Sequence, residues 1–150
     1  MSKALFPGSF DPFTIGHDDI VQRGLQLFDE IIIGIGRNSV KNETFPIRER
    51  EAAIKKIYAD NPKVKVLIYD GLTIDFAKAQ NAHFILRGIR GMSDFEYERN
   101  LAEANLHLGG IETILLYTRP QFAYISSTLV RDLCRYNQDV SSFVPNNKKL

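Results

Sequence analysis

A threonine and a histidine three residues apart form the first pair in the chain that could do chemistry. Thr14 and His17 end the block Gly-Ser-Phe-Asp-Pro-Phe-Thr-Ile-Gly-His, which spans residues 8–17. A helix beginning near Thr14 would present both side chains on one face. Helix starts attract phosphate through free amides and a partial positive charge, which also disfavours protonation of an imidazole. A neutral His17 still donates one hydrogen bond. In the alternative, Thr14 is only an N-cap and His17 a surface residue.

Two arginines flank a glycine directly after the fourth predicted strand, as Arg87-Gly88-Ile89-Arg90. A guanidinium group presents a planar fork that suits phosphate oxygens. Glycine lets the backbone approach a ligand closely. In the alternative, both arginines pair with nearby carboxylates, which are those of Asp94, Glu96 and Glu98.

Three hydroxyl side chains and an arginine mark the start of the last predicted helix. They are Ser126, Ser127, Thr128 and Arg131. Capping a helix accounts for one hydroxyl. The remaining hydroxyls and the helix amides suit the β- and γ-phosphates of a nucleotide. Lys41, in the polar loop 37–44, could place a point charge on a phosphate, or it is a solvated loop lysine.

Strand and helix patterns alternate along the whole chain. Strands are predicted at 3–6, 30–36, 63–69, 83–86 and 112–117, and helices at 18–28, 47–60, 73–80, 93–108 and 126–137. Ser93 and Glu96 form a predicted capping box. The alternation predicts an α/β fold, a Rossmann-like doubly wound parallel five-stranded sheet with helices on both faces, in one domain over residues 1–150. Ligands bind beyond the carboxyl ends of such strands, where the residues above lie.

Composition excludes several classes of protein. A formal net charge of +1 over 150 residues disfavours a nucleic-acid binder, and we expect no nucleic-acid partner. No apolar stretch is long enough to span a bilayer, so we expect no membrane association. The single cysteine, Cys134, and the absence of an apolar leader indicate a cytoplasmic protein.

The motifs resemble a known family. Thr14-Ile15-Gly16-His17 matches the [T/H]-x-G-H signature of the nucleotidyltransferase superfamily, which includes class I aminoacyl-tRNA synthetases. The lead-in Pro7-Gly8-Ser9-Phe10-Asp11-Pro12, the Arg-Gly-x-Arg block and the Ile-Ser-Ser-Thr segment are similar to phosphopantetheine adenylyltransferases. The likeness runs from about residue 3 to 145, with three separate motif blocks in the expected order.

The resemblance implies transfer of AMP from ATP to 4′-phosphopantetheine, giving dephospho-coenzyme A and pyrophosphate, with Mg²⁺ accompanying ATP. It also implies a homohexamer and feedback inhibition by coenzyme A. The implied ATP-binding residues are Ser9, Phe10, His17, Gly88, Ile89, Arg90, Glu98, Ala123, Tyr124, Ile125, Ser126, Ser127, Thr128 and Leu129. The implied acceptor-binding residues are Ser9, Lys41, Thr73 and Arg87.

The expected mechanism is direct in-line attack of the acceptor phosphate on the α-phosphorus. A phosphate monoester is already ionised near pH 7, since its second pKa is about 6. We assign stabilisation of the developing charge to His17 and Lys41, with Thr14 holding His17 and ATP. The family usually has a basic neighbour beside Lys41, where this chain has Asn42 and Glu43. Thr73 is equally explained as a helix N-cap.

Three rival functions remain at this point. The first is a related nucleotidyltransferase acting on nicotinamide mononucleotide or glycerol 3-phosphate. The second is a nucleotide-binding regulator without catalysis, and the third is a flavodoxin-like electron carrier. The Arg87–Arg90 block and the helix carrying Glu98 favour pantetheine over the other acceptors, and the set of Thr14, His17 and Lys41 favours catalysis over regulation.

Overall fold

The computed structural model describes residues 1–38 and 42–145. The strands are β1 (Lys3–Gly8), β2 (Glu30–Gly36), β3 (Val64–Tyr69), β4 (Phe84–Ile89) and β5 (Glu112–Tyr117). The helices are α1 (Ile15–Gly24), α2 (Ile47–Ile57), α3 (Thr73–Ala79), α4 (Met92–Gly109) and α5 (Ser127–Arg135). Two short 3₁₀ helices cover Pro120–Phe122 and Ser141–Phe143.

All strand pairs of the five-stranded sheet are parallel, and the strand order is β3-β2-β1-β4-β5. The predicted Rossmann-like fold is therefore confirmed. The chain moves outward from β1 to β2 and β3, and then returns to β4 on the other side of β1. The strand order thus reverses between β1 and β4, which opens a crevice beyond their carboxyl ends.

The isoleucine run of β2, next to the central strand β1, is apolar on both faces because helices cover both sides of the sheet. In β2, Ile31, Ile33 and Ile35 belong to the same core cluster as residues of α1 and α2. Ile32 points the other way and packs in a second cluster with residues of α3. This alternation explains why the run of isoleucines has no polar position and holds the crevice on a rigid sheet.

Several predicted boundaries shift in the structure. β4 continues to Ile89, so Arg87 and Gly88 lie within the strand, opposite Leu115 and Leu116 of β5. α1 begins at Ile15 and ends at Gly24, earlier than the predicted 18–28. Because of these shifts, Arg87 lies within β4 and His17 lies within α1.

The capping box predicted at Ser93 and Glu96 is wrong. α4 begins at Met92, its N-cap is Gly91, and no side chain caps it. The nearby Asp94 carboxylate instead accepts the backbone amide of Arg90 at 3.0 Å. No helix in the described ranges is both long enough and apolar enough to cross a membrane.

Candidate active site

A cleft of about 350 Å³ lies where β1 and β4 end and where α1, α4 and α5 begin; we call it the first cleft. His17 and Arg87 both line it, so the residues predicted to follow separate strands do meet at one cavity. The predicted site residues that line it are Ser9, Phe10, Thr14, His17, Arg87, Gly88, Arg90, Glu98, Ile125, Ser126, Ser127 and Thr128.

A second cleft, of about 510 Å³, adjoins the first. Ser9 and Arg87 line both cavities and mark their junction. Much of the wall of the second cleft is apolar or aromatic, contributed by Tyr69, Leu72, Ile74, Tyr97, Leu101, Ala102 and Leu108. The two clefts differ accordingly, with a charged first cavity and a larger, more apolar second one.

Polar groups also reach the second cleft. Asn105 is buried on α4. The buried hydroxyl of Thr113 has no hydrogen-bond partner among the described residues. Buried polar atoms of this kind ordinarily have a partner, so a ligand with amide or hydroxyl groups would suit this cavity.

His17 is fixed by the start of its own helix. The Thr14 hydroxyl accepts the His17 amide at 3.3 Å, and the Thr14 amide donates to Nδ1 of His17 at 2.9 Å. This reciprocal arrangement is a capping box in which histidine takes the place of the usual glutamate or glutamine. Because Nδ1 accepts a hydrogen bond, the neutral ring carries its proton on Nε2.

The environment of His17 keeps the imidazole neutral. Phe6, Phe10 and Phe13 surround the ring with centroid distances of 6.2, 5.0 and 5.3 Å. Burial, and then the positive charges of Arg87 and Arg90, lower the pKa of His17 to about 3. The helix start predicted a neutral His17, and the structure adds burial and two guanidinium charges as further causes. The ring is therefore a hydrogen-bond donor and not a cation at neutral pH.

Arg87 forms a bidentate ion pair with Glu98 on α4. Its Nε donates to Oε2 at 2.9 Å and its second terminal nitrogen to Oε1 at 2.6 Å. The other terminal nitrogen donates to the Pro7 carbonyl. These bonds use three of the five N–H groups of arginine and leave two directed elsewhere. The ion-pair alternative is thus correct for the protein contacts of Arg87, yet the residue still lines both clefts.

Glu98 is 4% exposed, so its main role in the free protein is to hold the Arg87 guanidinium. Arg90 is held in a similar but more exposed way, because its Nε donates to Asp94 at 3.0 Å. Gly88 has a packing role as well, since an added Cβ would lie 3.0 Å from Cγ1 of Ile20 on α1. The Arg87–Arg90 block therefore contains side chains that line the cleft and is held in place by Glu98, Asp94 and Ile20.

The three hydroxyls at the start of α5 have distinct partners. Ser126 is the N-cap and accepts the Leu129 amide at 3.0 Å. Ser127 donates to the Pro12 carbonyl at 2.8 Å, and Thr128 accepts from Arg131 at 3.0 Å. The bond from Ser127 to Pro12 joins α5 to the loop between β1 and α1. This helix start therefore faces the first cleft with its amides in a fixed orientation.

Arg131 also lines the first cleft, although sequence reasoning gave it no site role. Its guanidinium donates to the Asp11 carbonyl at 2.9 Å and to Thr128. Within residues 1–38 and 42–145 it has no carboxylate partner at ion-pair distance. The signal in the sequence was its spacing of three from Thr128, which places both on one helix face.

The remaining predicted residues lie elsewhere. Ile89, Ala123, Tyr124 and Leu129 do not line the first or the second cleft. Ile89 is buried, and Tyr124 is exposed and packs against Phe143 with a centroid distance of 6.3 Å. Lys41 lies outside the described residues.

Thr73 lies in the second cleft, where its hydroxyl bonds that of Tyr69 at 2.8 Å. Its alternative role as an N-cap is wrong, because Leu72 occupies that position and α3 begins at Thr73. In the described part of the chain, no group of three or more histidine, cysteine or acidic side chains is arranged to hold a metal ion.

Comparisons with a family model and with individual proteins both match this chain over most of its length. A family model described as cytidylyltransferase-like matches residues 5–133. The phosphopantetheine adenylyltransferase of Bacteroides thetaiotaomicron is 56% identical over 150 residues, with 100% of this chain and 99% of that protein covered. Those of Bacteroides fragilis and Flavobacterium johnsoniae are 54% and 51% identical, covering 100% and 97% of this chain and 100% and 95% of their own lengths.

Among solved structures, a bifunctional NMN adenylyltransferase/ADP ribose pyrophosphatase from Francisella tularensis has the same fold. Its TM-score is 0.67 at 17% sequence identity. The match covers 97% of this chain and 45% of that larger protein.

Proposed function

This chain belongs to the phosphopantetheine adenylyltransferase family, and we propose that it transfers AMP from ATP to 4′-phosphopantetheine, with dephospho-coenzyme A and pyrophosphate as products. The observation that carries the proposal is the pair of adjoining clefts that meet at Ser9 and Arg87. Two adjoining cavities with a cationic side chain at their junction can hold two phosphate-bearing substrates side by side.

The second cleft suits the acceptor. The pantetheine arm is a long chain of methylene, methyl, amide and hydroxyl groups. The apolar wall packs against its carbon atoms, while Asn105 and the unpartnered Thr113 hydroxyl offer hydrogen bonds to its amides. Thr73 also lines this cavity, which supports its proposed contact with the arm. The phosphate at the end of the arm then lies beside Arg87, at the junction of the clefts.

The first cleft suits the triphosphate. The α5 start offers backbone amides to phosphate oxygens, and Arg90 and Arg131 add positive charge around them. ATP enters as its Mg²⁺ complex. Phosphate oxygens and water molecules supply most ligands of that ion, since no carboxylate group of the described site is left to form a cage.

The chemistry requires no protein nucleophile. A phosphate oxygen of the acceptor forms a bond to the α-phosphorus, and the bond from that phosphorus to the bridging oxygen of pyrophosphate breaks. His17 donates Nε2–H toward the charge that develops on the α-phosphoryl group. A neutral donor held in place by Thr14 needs no reorganisation during the reaction. Catalysis then rests on positioning and on electrostatic stabilisation.

The resemblance supports four further parts of the proposal. The enzyme assembles as a homohexamer, works in the cytoplasm, and is inhibited by coenzyme A, which shares the pantetheine arm of the acceptor. Lys41 contributes a positive charge near the reacting phosphate. Sedimentation of the purified protein and titration of the assay with coenzyme A test the first and third parts.

An acceptor panel tests the reaction itself. Pyrophosphate release is measured with ATP and Mg²⁺ and, in turn, 4′-phosphopantetheine, pantetheine, nicotinamide mononucleotide and glycerol 3-phosphate. We expect release with 4′-phosphopantetheine only. Pantetheine is the matched control, because it keeps the arm and lacks the attacking phosphate. Release with another acceptor would reassign the substrate, and ATP binding without release from any acceptor would favour a regulator.

A further inference from the structure

An arginine occupies a buried position on α2, outside both clefts. The buried side chains of this helix are Ile47, Arg50 and Ile54, so its inward face carries a charge where helical periodicity calls for an apolar residue. Arg50 is 5% exposed. A buried charge persists in a folded protein only when its partners are well placed, and such departures from pattern concentrate at functional sites.

The partners of Arg50 come from two separate segments. Its Nε donates to the Phe45 carbonyl at 2.8 Å, and one terminal nitrogen pairs with Glu43 at 2.8 Å. The other terminal nitrogen donates to the Ser9 carbonyl. Arg50 therefore joins the segment before α2 to the turn that follows β1.

That turn has an unusual backbone. Phe10 has a φ of 48°, in the left-handed region that an L-residue with a large side chain rarely adopts. Its side chain is 3% exposed and packs against Phe6, Phe13 and His17. A residue in this conformation persists only when the surrounding structure holds it there.

Asp11 provides the second hold on the same turn. Its buried carboxylate accepts the amides of Thr44 and Phe45, each at 2.9 Å. Asp11 of the turn therefore bonds to the segment before α2, and Arg50 bonds both to that segment, at Phe45, and to the turn, at Ser9. Ser9 lines both clefts, so any movement of this turn moves the junction where the substrates meet.

We propose that Arg50 is a positioning residue for adenylyl transfer, which holds the strained turn at Phe10 closed and thereby keeps Ser9 at the junction of the two clefts. The inference rests on the proposed function for its kinetic part. Arg50 lines two smaller cavities, of about 230 and 280 Å³, but neither the first nor the second cleft, and it acts through the Ser9 carbonyl.

Two variants of Arg50 test the proposal. Arg50→Met keeps an unbranched apolar stem without the donors, and Arg50→Lys keeps the charge without the fork. Arg48→Met and Arg48→Lys are the matched controls, because Arg48 lies on the same helix with a side chain 74% exposed. The wild-type enzyme and all variants are assayed well below their Tm, with kcat and both KM values measured.

We expect kcat to fall about 100-fold in Arg50→Met, on the scale of a small misplacement of reacting groups. Arg50→Lys keeps the charge and should lower kcat only about tenfold, with both KM values changed less than about threefold. Both Arg48 variants should stay within about twofold. A lower Tm with kcat within twofold of wild type in Arg50→Lys would assign Arg50 to stability alone and overturn the proposal.

Amide NMR spectra give a second measurement that does not depend on activity. Arg50→Lys should displace the Ser9 and Phe10 signals, and Arg48→Lys should leave them in place. If Arg50→Met does not fold, Arg50→Lys decides the question. If the wild-type enzyme releases no pyrophosphate, the proposed function fails, and unmoved Ser9 and Phe10 signals would separately refute the positioning of the turn.

Discussion

Polar and charged side chains lie at both the amino edge and the carboxyl edge of the sheet, where the strands begin and end, but they have different roles there. At the amino edge, Lys3 and Lys65 lie 3.4 and 3.3 Å from one carboxylate, that of Glu30, and none of these residues lines a cleft described above. At the carboxyl edge, His17 and Arg131 line a cavity. Cations that converge on a carboxylate stabilise the fold, whereas groups that converge on a cavity can act on an anionic ligand.

Replacing one histidine at each edge with alanine should give the largest difference in kcat. His17→Ala removes the donor at the α-phosphoryl group, so kcat should fall about 10²–10³-fold while the Kd of ATP changes far less. His83 is the control, since its Nδ1 accepts the Lys3 amide at the amino edge. We expect His83→Ala to stay within about twofold. Near-normal kcat in His17→Ala would refute the assignment of His17.

Arg131 offers a sharper test of the carboxyl edge. Replacing it with methionine removes a cation that has no carboxylate partner in the described part of the chain, so KM for ATP should rise about tenfold, or about 1.4 kcal/mol. Arg135→Met is the control, because that guanidinium pairs with Asp132 at 3.3 Å on the exposed side of α5. Equal effects of the two substitutions on KM would remove Arg131 from the site.

The acid dependence of stability should distinguish His17 from an ordinary surface histidine. The unfolded chain protonates this residue near pH 6.5, whereas the folded chain does so near pH 3. Between these values the unfolded state binds more protons, so His17 makes stability fall as the pH is lowered, by at most about 1.4 kcal/mol per unit. Urea unfolding of wild type and His17→Ala from pH 7 to pH 4.5 measures the difference. Parallel curves would contradict the low pKa.

Glu30→Gln should have the smallest effect. The substitution keeps the shape of the side chain and removes its attraction for Lys3 and Lys65, so the free energy of unfolding should fall by about 1 kcal/mol. The value of kcat should remain within about twofold of wild type. A fall in kcat of more than about twofold would show that Glu30 also affects the active site.

Local patterns made much of the fold and of this site predictable. The isoleucine run in β2 predicted a strand buried on both faces. The spacing of Thr14 and His17 predicted a shared helix start. Both depend on neighbours close in sequence, where the rules of periodicity and capping apply directly. The wrong capping box at Ser93 shows the limit of such rules, because α4 begins at Met92 and Ser93 therefore lies inside the helix.

The amino-acid sequence by itself determined the parallel α/β fold, the order of its motifs and the residue types available at the strand ends. Only the tertiary structure decided how those groups are held: Arg87 against Glu98, Arg50 against Ser9, and His17 within an aromatic enclosure that lowers its pKa. The physical reason is that burial and ion pairing depend on distances between segments far apart in the chain. Spacing along one helix or strand carries no record of those distances.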